Sequence, residues 1–218
     1  MTAKLVIWGA GAHARVVADI VRLGGAYELV GFLDDVNPER HGTAIGDLPI
    51  LGGREALASL HADGVEHLVL GFGDGRARLR LAPLVREHGF QLATLIHPRA
   101  IVGAGVPIGA GTVIKGGAVI DVDVRIGANV IVSAAWIAHG SVLEDGVLIS
   151  VGVALAGRTC VGKGSRIGAG ATLRDGVRVG AGCLIGAGAV VLHDIPDGMV
   201  AYGVPARPVR SVRPSDQL

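Results

Sequence analysis

Residues 161–191 read VGKGSRIGAGATLRDGVRVGAGCLIGAGAVV. An aliphatic side chain returns every sixth position, at Val161, Ile167, Leu173, Val179 and Ile185. Four positions after each stands a small or β-branched residue, and glycine often follows the aliphatic directly, as at Ile167–Gly168 and Ile185–Gly186. Self-similarity at a fixed period is the mark of a repeat architecture rather than of a helix or an ordinary sheet.

The same period runs back through Leu155, Ile149, Leu143 and Ile137, then resumes at Ile126, Ile120, Ile114, Ile108 and Val102, giving fourteen six-residue segments. Three such segments make one triangular coil. The aliphatic points inward and stacks on its equivalent in the next coil, and the corners take small residues or glycine, where a bulky Cβ would clash or φ must be positive. The reading is a left-handed parallel β-helix of nearly five coils over about residues 100–190. Ile126 and Ile137 are eleven residues apart, so one residue is missing and the coil there must bulge or tighten. Irregularity of that kind often marks a site. His139, the sole histidine between His97 and His193, lies just beyond it.

Upstream of the repeats the texture changes. Lys4–Trp8 reads as a strand, Ala12–Leu23 as a helix with Ala14, Val17, Ile20 and Val21 at helical spacing, and Glu28–Leu33 and His67–Gly71 as further strands. Arg76–His88 is helix-like, and Gln91–Ile96 closes the series as a strand. Alternating strands and helices imply a parallel α/β sheet, though fewer than 100 residues is too short for a full two-half dinucleotide fold. The expected organisation is a Rossmann-like α/β domain over 1–97, an all-β helix over 98–193, and a cap and tail over 194–218.

Composition narrows the function classes. Lys+Arg number 20 and Asp+Glu 19, so no charge excess points to nucleic acid or a membrane surface. Half the residues are hydrophobic but only seven are aromatic, so Val, Ile, Leu and Ala fill the core. Cys160 and Cys183 have no metal-like spacing and read as buried free thiols. The opening MTAKLVIWGAGAHA lacks the apolar core of a signal peptide and no stretch approaches transmembrane length, which makes a cytoplasmic location the expectation.

Three places could carry chemistry. His139 falls away from the inward stack of its hexad; it is either a general base or a surface histidine bonded to a neighbouring coil. Gly9-Ala10-Gly11-Ala12-His13 joins a strand to a helix, where glycines and free N–H groups suit an anion, or where a tight turn simply needs them. Asp34-Asp35 and Gly73-Asp74 close two further strands at the same sheet edge, where open α/β sheets bind ligands. Gly203-Val204-Pro205-Ala206, after the repeats stop, is a fixed loop or a structural cap.

Taken in order, the opening loop, Phe32-Leu33-Asp34-Asp35, Leu95-Ile96-His97-Pro98, the hexads and Gly203–Ala206 resemble the sialic-acid O-acetyltransferase-like (NeuD/PglD-type) branch of the hexapeptide-repeat acyltransferases. The resemblance covers nearly the whole chain. It implies a homotrimer that acetylates the amino or hydroxyl group of a nucleotide-linked sugar, typically a 4-amino-4,6-dideoxy sugar, with acetyl-CoA as co-substrate between adjacent β-helices and no metal. His139 matches the general base. Gly11, Ala12, His13, Asp34, Asp35 and Gly73 match nucleotide-sugar contacts. Gly157 matches the residue whose N–H faces the thioester oxygen, Ala169 lies along the pantetheine, and Leu148 stands near the acetyl group, where the family often has a second histidine. Two more departures accompany Leu148: Gly140 replaces the carboxylate that usually follows the base, with Glu144 or Asp145 as possible substitutes, and Val132 stands where an asparagine usually approaches the sugar. Trp136 shapes the sugar pocket or packs on a neighbouring subunit.

The alternative within the same fold is a weakly active or non-catalytic trimer that binds a nucleotide sugar. A dinucleotide-dependent oxidoreductase would leave the repeats without a role, and a zinc hydratase needs several histidines on one coil, where His139 is alone.

Overall fold

The computed structural model describes residues 2–216. Four parallel strands open the chain: β1 (Ala3–Trp8), β2 (Tyr27–Leu33), β5 (His67–Leu70) and β6 (Gln91–Leu92), in the order β2-β1-β5-β6. Helix α1 (Ala12–Gly24) follows β1 and ends on Gly25 at φ 65°, a left-handed cap that glycine takes without strain. Between β2 and β5 lie two elements with no clear sequence signal, a short hairpin of β3 (Ala44–Ile45) and β4 (Leu48–Pro49) and helix α2 (Leu57–Ala62). Helix α3 (Gly75–Glu87) begins at Asp74, whose carboxylate accepts from the backbone N–H groups of Arg76 and Ala77.

The strand expected over 91–96 is two strands. β6 completes the α/β sheet, whereas β7 (Leu95–Ile96) pairs with Val113–Ile114 and is already the first rung of the solenoid. The β-helix has three faces. The first, built on β7, continues through Val113–Ile114, Ile131–Val132, Leu148–Ile149, Arg166–Ile167 and Leu184–Ile185 to Met199–Gly203. The second carries six rungs, from Ile101–Val102 through Trp136–Ile137 to Val190–Val191. The third runs from Arg125–Ile126 to Arg178–Val179, with Ile108 and Ile195 bridging at either end. The stack therefore holds about six turns and extends on both sides of the fourteen counted hexads.

Val132 explains part of the difference. It is fully buried in the solenoid core with Ile114, Ile149 and Ile167, an inward aliphatic that the count restarting at Ile137 passes over. Trp136 pairs with Ala154, eighteen residues on, but Val119 pairs with Trp136, only seventeen on. The missing residue is taken from the corner between the first and second faces, where Ser133–Ala135 spans what four residues span in the neighbouring coils. The coil tightens rather than bulges, and both flanking registers survive.

The α/β domain sits on the first face. Ala14, Val17, Ile20 and Val21 of α1 form one core with Leu95, Val113 and Ile131 of the solenoid, and Leu148 packs against it. At the far end, Ala206–Ser211 lies antiparallel on Met199–Gly203 and closes the stack. Cys183 is buried and Cys160 partly exposed, both as free thiols.

Candidate active site

The carboxyl ends of β1, β2 and β5 open into a cavity of about 550 Å³ that contains Gly11, Ala12, His13, Asp34, Asp35 and Gly73 together. Gly9 lets two of its loops touch: at φ 125°, a β-carbon there would lie 3.0 Å from the Gly71 carbonyl oxygen. The two aspartates are not free acceptors. Asp34 is buried and takes the backbone N–H of Val36 and Asn37, the Asn37 amide and Arg40 Nη1. It shapes the loop over the cavity. Asp35 holds Arg54 through both oxygens, at 2.7 Å to its backbone N and 2.7 Å to Nη2.

A second cavity of about 550 Å³ lies between α1 and the solenoid, with His13, Asp19, His97, Lys115, Ser133 and Leu148 on its walls. His13 lines both cavities. The shortened corner opens here, and Ser133 occupies the position from which Val132 is excluded by its burial. Leu148 is wedged under α1.

Arg78 joins this region to the solenoid. It is fully buried, yet no carboxylate pairs with it among the described residues. Its donors go to five carbonyls: Phe72 (3.0 Å) and Gly73 (2.7 Å) in the cavity loop, and Asn129 (3.0 Å), Gly146 (3.0 Å) and Val147 (3.4 Å) in the coils. Burial lowers its pKa to about 10, so it remains a cation at neutral pH.

His139 stands elsewhere, exposed at the corner between the second and third faces. The break in the repeat and the candidate base therefore occupy consecutive corners, not one. One coil on from His139 is Gly157, and one coil further is Asp175, linked by corner hydrogen bonds such as Arg158 N to the His139 carbonyl (2.8 Å). A β-carbon on Gly157 would lie 2.8 Å from His139 Cε1, 2.9 Å from Nε2 and 2.8 Å from Asp175 Oδ1. Only glycine leaves room for the imidazole. Gly140 has φ 68° and a β-carbon there would meet Arg158 Cγ at 3.3 Å, so a carboxylate side chain would be strained at that position. Glu144 and Asp145 are engaged with the backbone N–H of Lys163 and Ala128 respectively, which leaves Asp175, itself ion-paired with Arg158, as the carboxylate beside the imidazole.

Ala169 is exposed on the same corner as Ser133 and Val151, further along the stack. Trp136 does not line either cavity; it is 54% exposed on the second face, with its indole N–H 3.4 Å from Asp121 Oδ2. Lys115 and Arg78 carry no motif. Arg78 does leave a trace, since with Ala82 and Val85 it falls on the buried side of α3.

An α/β pocket domain docked on a hexapeptide solenoid defines an acyltransferase architecture. The PglD N-terminal domain family matches residues 4–84, and the bacterial transferase hexapeptide (six repeats) family matches 161–193. The acetyltransferase domain of PglB from Neisseria gonorrhoeae is 39% identical, with a TM-score of 0.88 over 94% of this chain and 99% of that one. The same domain has been determined with acetyl coenzyme A (38% identity, TM-score 0.89, 96% and 100% coverage). A variant of perosamine N-acetyltransferase from Caulobacter crescentus, in complex with CoA and GDP-perosamine, is 34% identical, with a TM-score of 0.91 over 97% and 99% of the two chains. No curated protein matches at the sequence level. The chain belongs to the PglD/PglB-type sugar acetyltransferases of the hexapeptide-repeat superfamily.

Proposed function

We propose that the protein transfers the acetyl group of acetyl-CoA to an amino group, or a hydroxyl, of a nucleotide-linked sugar, with a 4-amino-4,6-dideoxy sugar as the first candidate. The observation that carries this reading is the seating of the His139 imidazole over Gly157. There a base stands beside a backbone N–H that donates to no protein group among the described residues. His139 takes a proton from the attacking amine while the amine nitrogen bonds to the thioester carbonyl carbon. The Gly157 N–H stabilises the oxyanion. The C–S bond then breaks, and the CoA thiolate leaves with the proton returned by His139. No acyl-enzyme is needed.

The nucleotide belongs in the α/β cavity, where Gly11, Ala12 and His13 open α1 and Gly73 closes β5. Asp34 and Asp35 serve by holding Arg40 and Arg54 in place rather than by accepting from the ligand directly. Ala169 and Leu148 flank the path assigned to the pantetheine and acetyl group. Within one chain His139 lies across the second face from the cleft, so the site is completed by a neighbouring copy, consistent with a homotrimer. A non-catalytic relative is the second reading, favoured by Gly140.

A thiol-release assay with acetyl-CoA and a panel of UDP- and GDP-linked 4-amino and hydroxy sugars tests the proposal. CoA release with one sugar, lost in His139→Ala, supports it. Silence across the panel with retained nucleotide-sugar binding would favour the binding protein.

A further inference from the structure

His13 in the first turn of α1 and Lys115 after the rung Val113–Ile114 meet across the cleft, with Lys115 Nζ 3.2 Å from His13 Nδ1. An ammonium has donors only, so Nδ1 is the acceptor and the ring proton resides on Nε2. Nε2 is buried and has no protein partner among the described residues. Lys115 forms no ion pair among them either. The imidazole divides the nucleotide cavity from the cleft and touches both.

We propose that Lys115 is a positioning residue: it locks His13 as the neutral Nε2–H tautomer, so that His13 donates a hydrogen bond to a ligand oxygen at the passage between the two cavities. The inference rests on the acetyl-transfer reading for the ligand's identity only, in which the sugar-linked diphosphate supplies an acceptor without a proton of its own. Burial, then Lys115, then Arg78 hold the His13 pKa down to about 4, so the ring stays neutral under ordinary conditions. The other groups facing it are Asp19 and His97 across the cleft and Asp34, Asp35 and Arg80 across the cavity. Asp34 and Asp35 are already neutralised by Arg40 and Arg54. A neutral donor held in one tautomer spares the site the alternative, an Nε2 lone pair directed at an anionic oxygen.

Lys115→Met keeps the bulk and removes the donor. Nitrogen-15 NMR of the imidazoles in the free protein, from about pH 5 to about pH 8, reads the tautomer without any substrate. The parent is expected to show Nε2–H throughout, and the variant a mixture with Nδ1–H. Kinetics with a UDP-linked and a GDP-linked 4-amino-4,6-dideoxyhexose then read the consequence. At pH 7 the variant's KM for the sugar nucleotide rises about five- to tenfold while its KM for acetyl-CoA is unchanged. Lys115→Arg, which keeps a cationic donor, retains the parent behaviour. Unchanged His13 nitrogen shifts in Lys115→Met overturn the proposal, as does an unchanged sugar-nucleotide KM at pH 7. A parent that releases no CoA with either probe would defeat the functional reading instead, and the NMR result would still decide the tautomer.

Discussion

The imidazole of His139 and the carboxylate of Asp175 flank Gly157 from opposite sides, each within 2.9 Å of the point where a side chain would begin. Three successive coils thus contribute an imidazole, a bare backbone and a carboxylate to one corner. Gly157→Ala puts a methyl group into that space and displaces the ring. The expected outcome is a fall in kcat of about a hundredfold with the sugar-nucleotide KM unchanged. Asp175→Asn keeps the shape and removes the charge that, in the proposed mechanism, steadies the imidazolium of His139, so a loss of roughly tenfold in kcat is expected. Steady-state kinetics with a melting curve for each variant checks both. Full activity in Gly157→Ala would detach His139 from the chemistry.

The stability of the chain should depend on pH through His13. Its pKa falls from an ordinary 6.5 to about 4 on folding. Between those values the unfolded chain binds a proton that the folded one refuses. The contribution is complete above pH 6.5 and is lost as the pH falls toward 4, to a limit of about 3 kcal/mol. Urea midpoints at both ends of that window measure it. His13→Gln, which does not titrate, should lose distinctly less.

Arg78→Met fills the same volume but leaves the carbonyls of Phe72, Gly73, Asn129 and Gly146 without their donor, while Val147 keeps the backbone N–H of Ile131. A loss of about 3–5 kcal/mol is expected from urea denaturation. Arg78→Lys retains the charge but cannot reach both sides at once, so it should fall between the two. Because two of the carbonyls belong to the cavity loop, binding of GDP or UDP, followed by calorimetry, should weaken in parallel.

The corner at Ser133–Ala135 offers a test by insertion. One glycine after Ala134 restores an eighteen-residue coil and should leave the melting temperature nearly unchanged, since insertions in surface turns cost little. It enlarges the wall of the cleft, so the KM for the sugar nucleotide should change. A collapsed fold would show that the short corner is a structural necessity.

The solenoid was legible because its aliphatic column repeats with no miss on either side of the break. Val132 escaped because a register that restarts at Ile137 hides the five-residue step before it. The sequence suggests one strand over 91–96 because a run of apolar residues does not say which sheet each half joins. Asp34 and Asp35 were legible as residues at a ligand edge, but not their arginine partners, which come from loops without periodicity. Lys115 could not be found at all: its partner is His13, 102 residues away, and only the docking of α1 on the first face brings them together. Arg78 was within reach, as a charge at apolar spacing with Ala82 and Val85.

The last strand, Ala206–Ser211, runs against the direction of every rung before it. A parallel stack ending on a bare rung would present a ready template for the first rung of another molecule, and end-to-end growth into filaments would follow. Reversal of the chain changes the hydrogen-bond pattern at that edge. Pro208 removes a donor from it, and Arg207 adds a charge, while Arg210 is paired with Asp216. The hairpin thus keeps a structure that is periodic in one dimension as a particle of finite length.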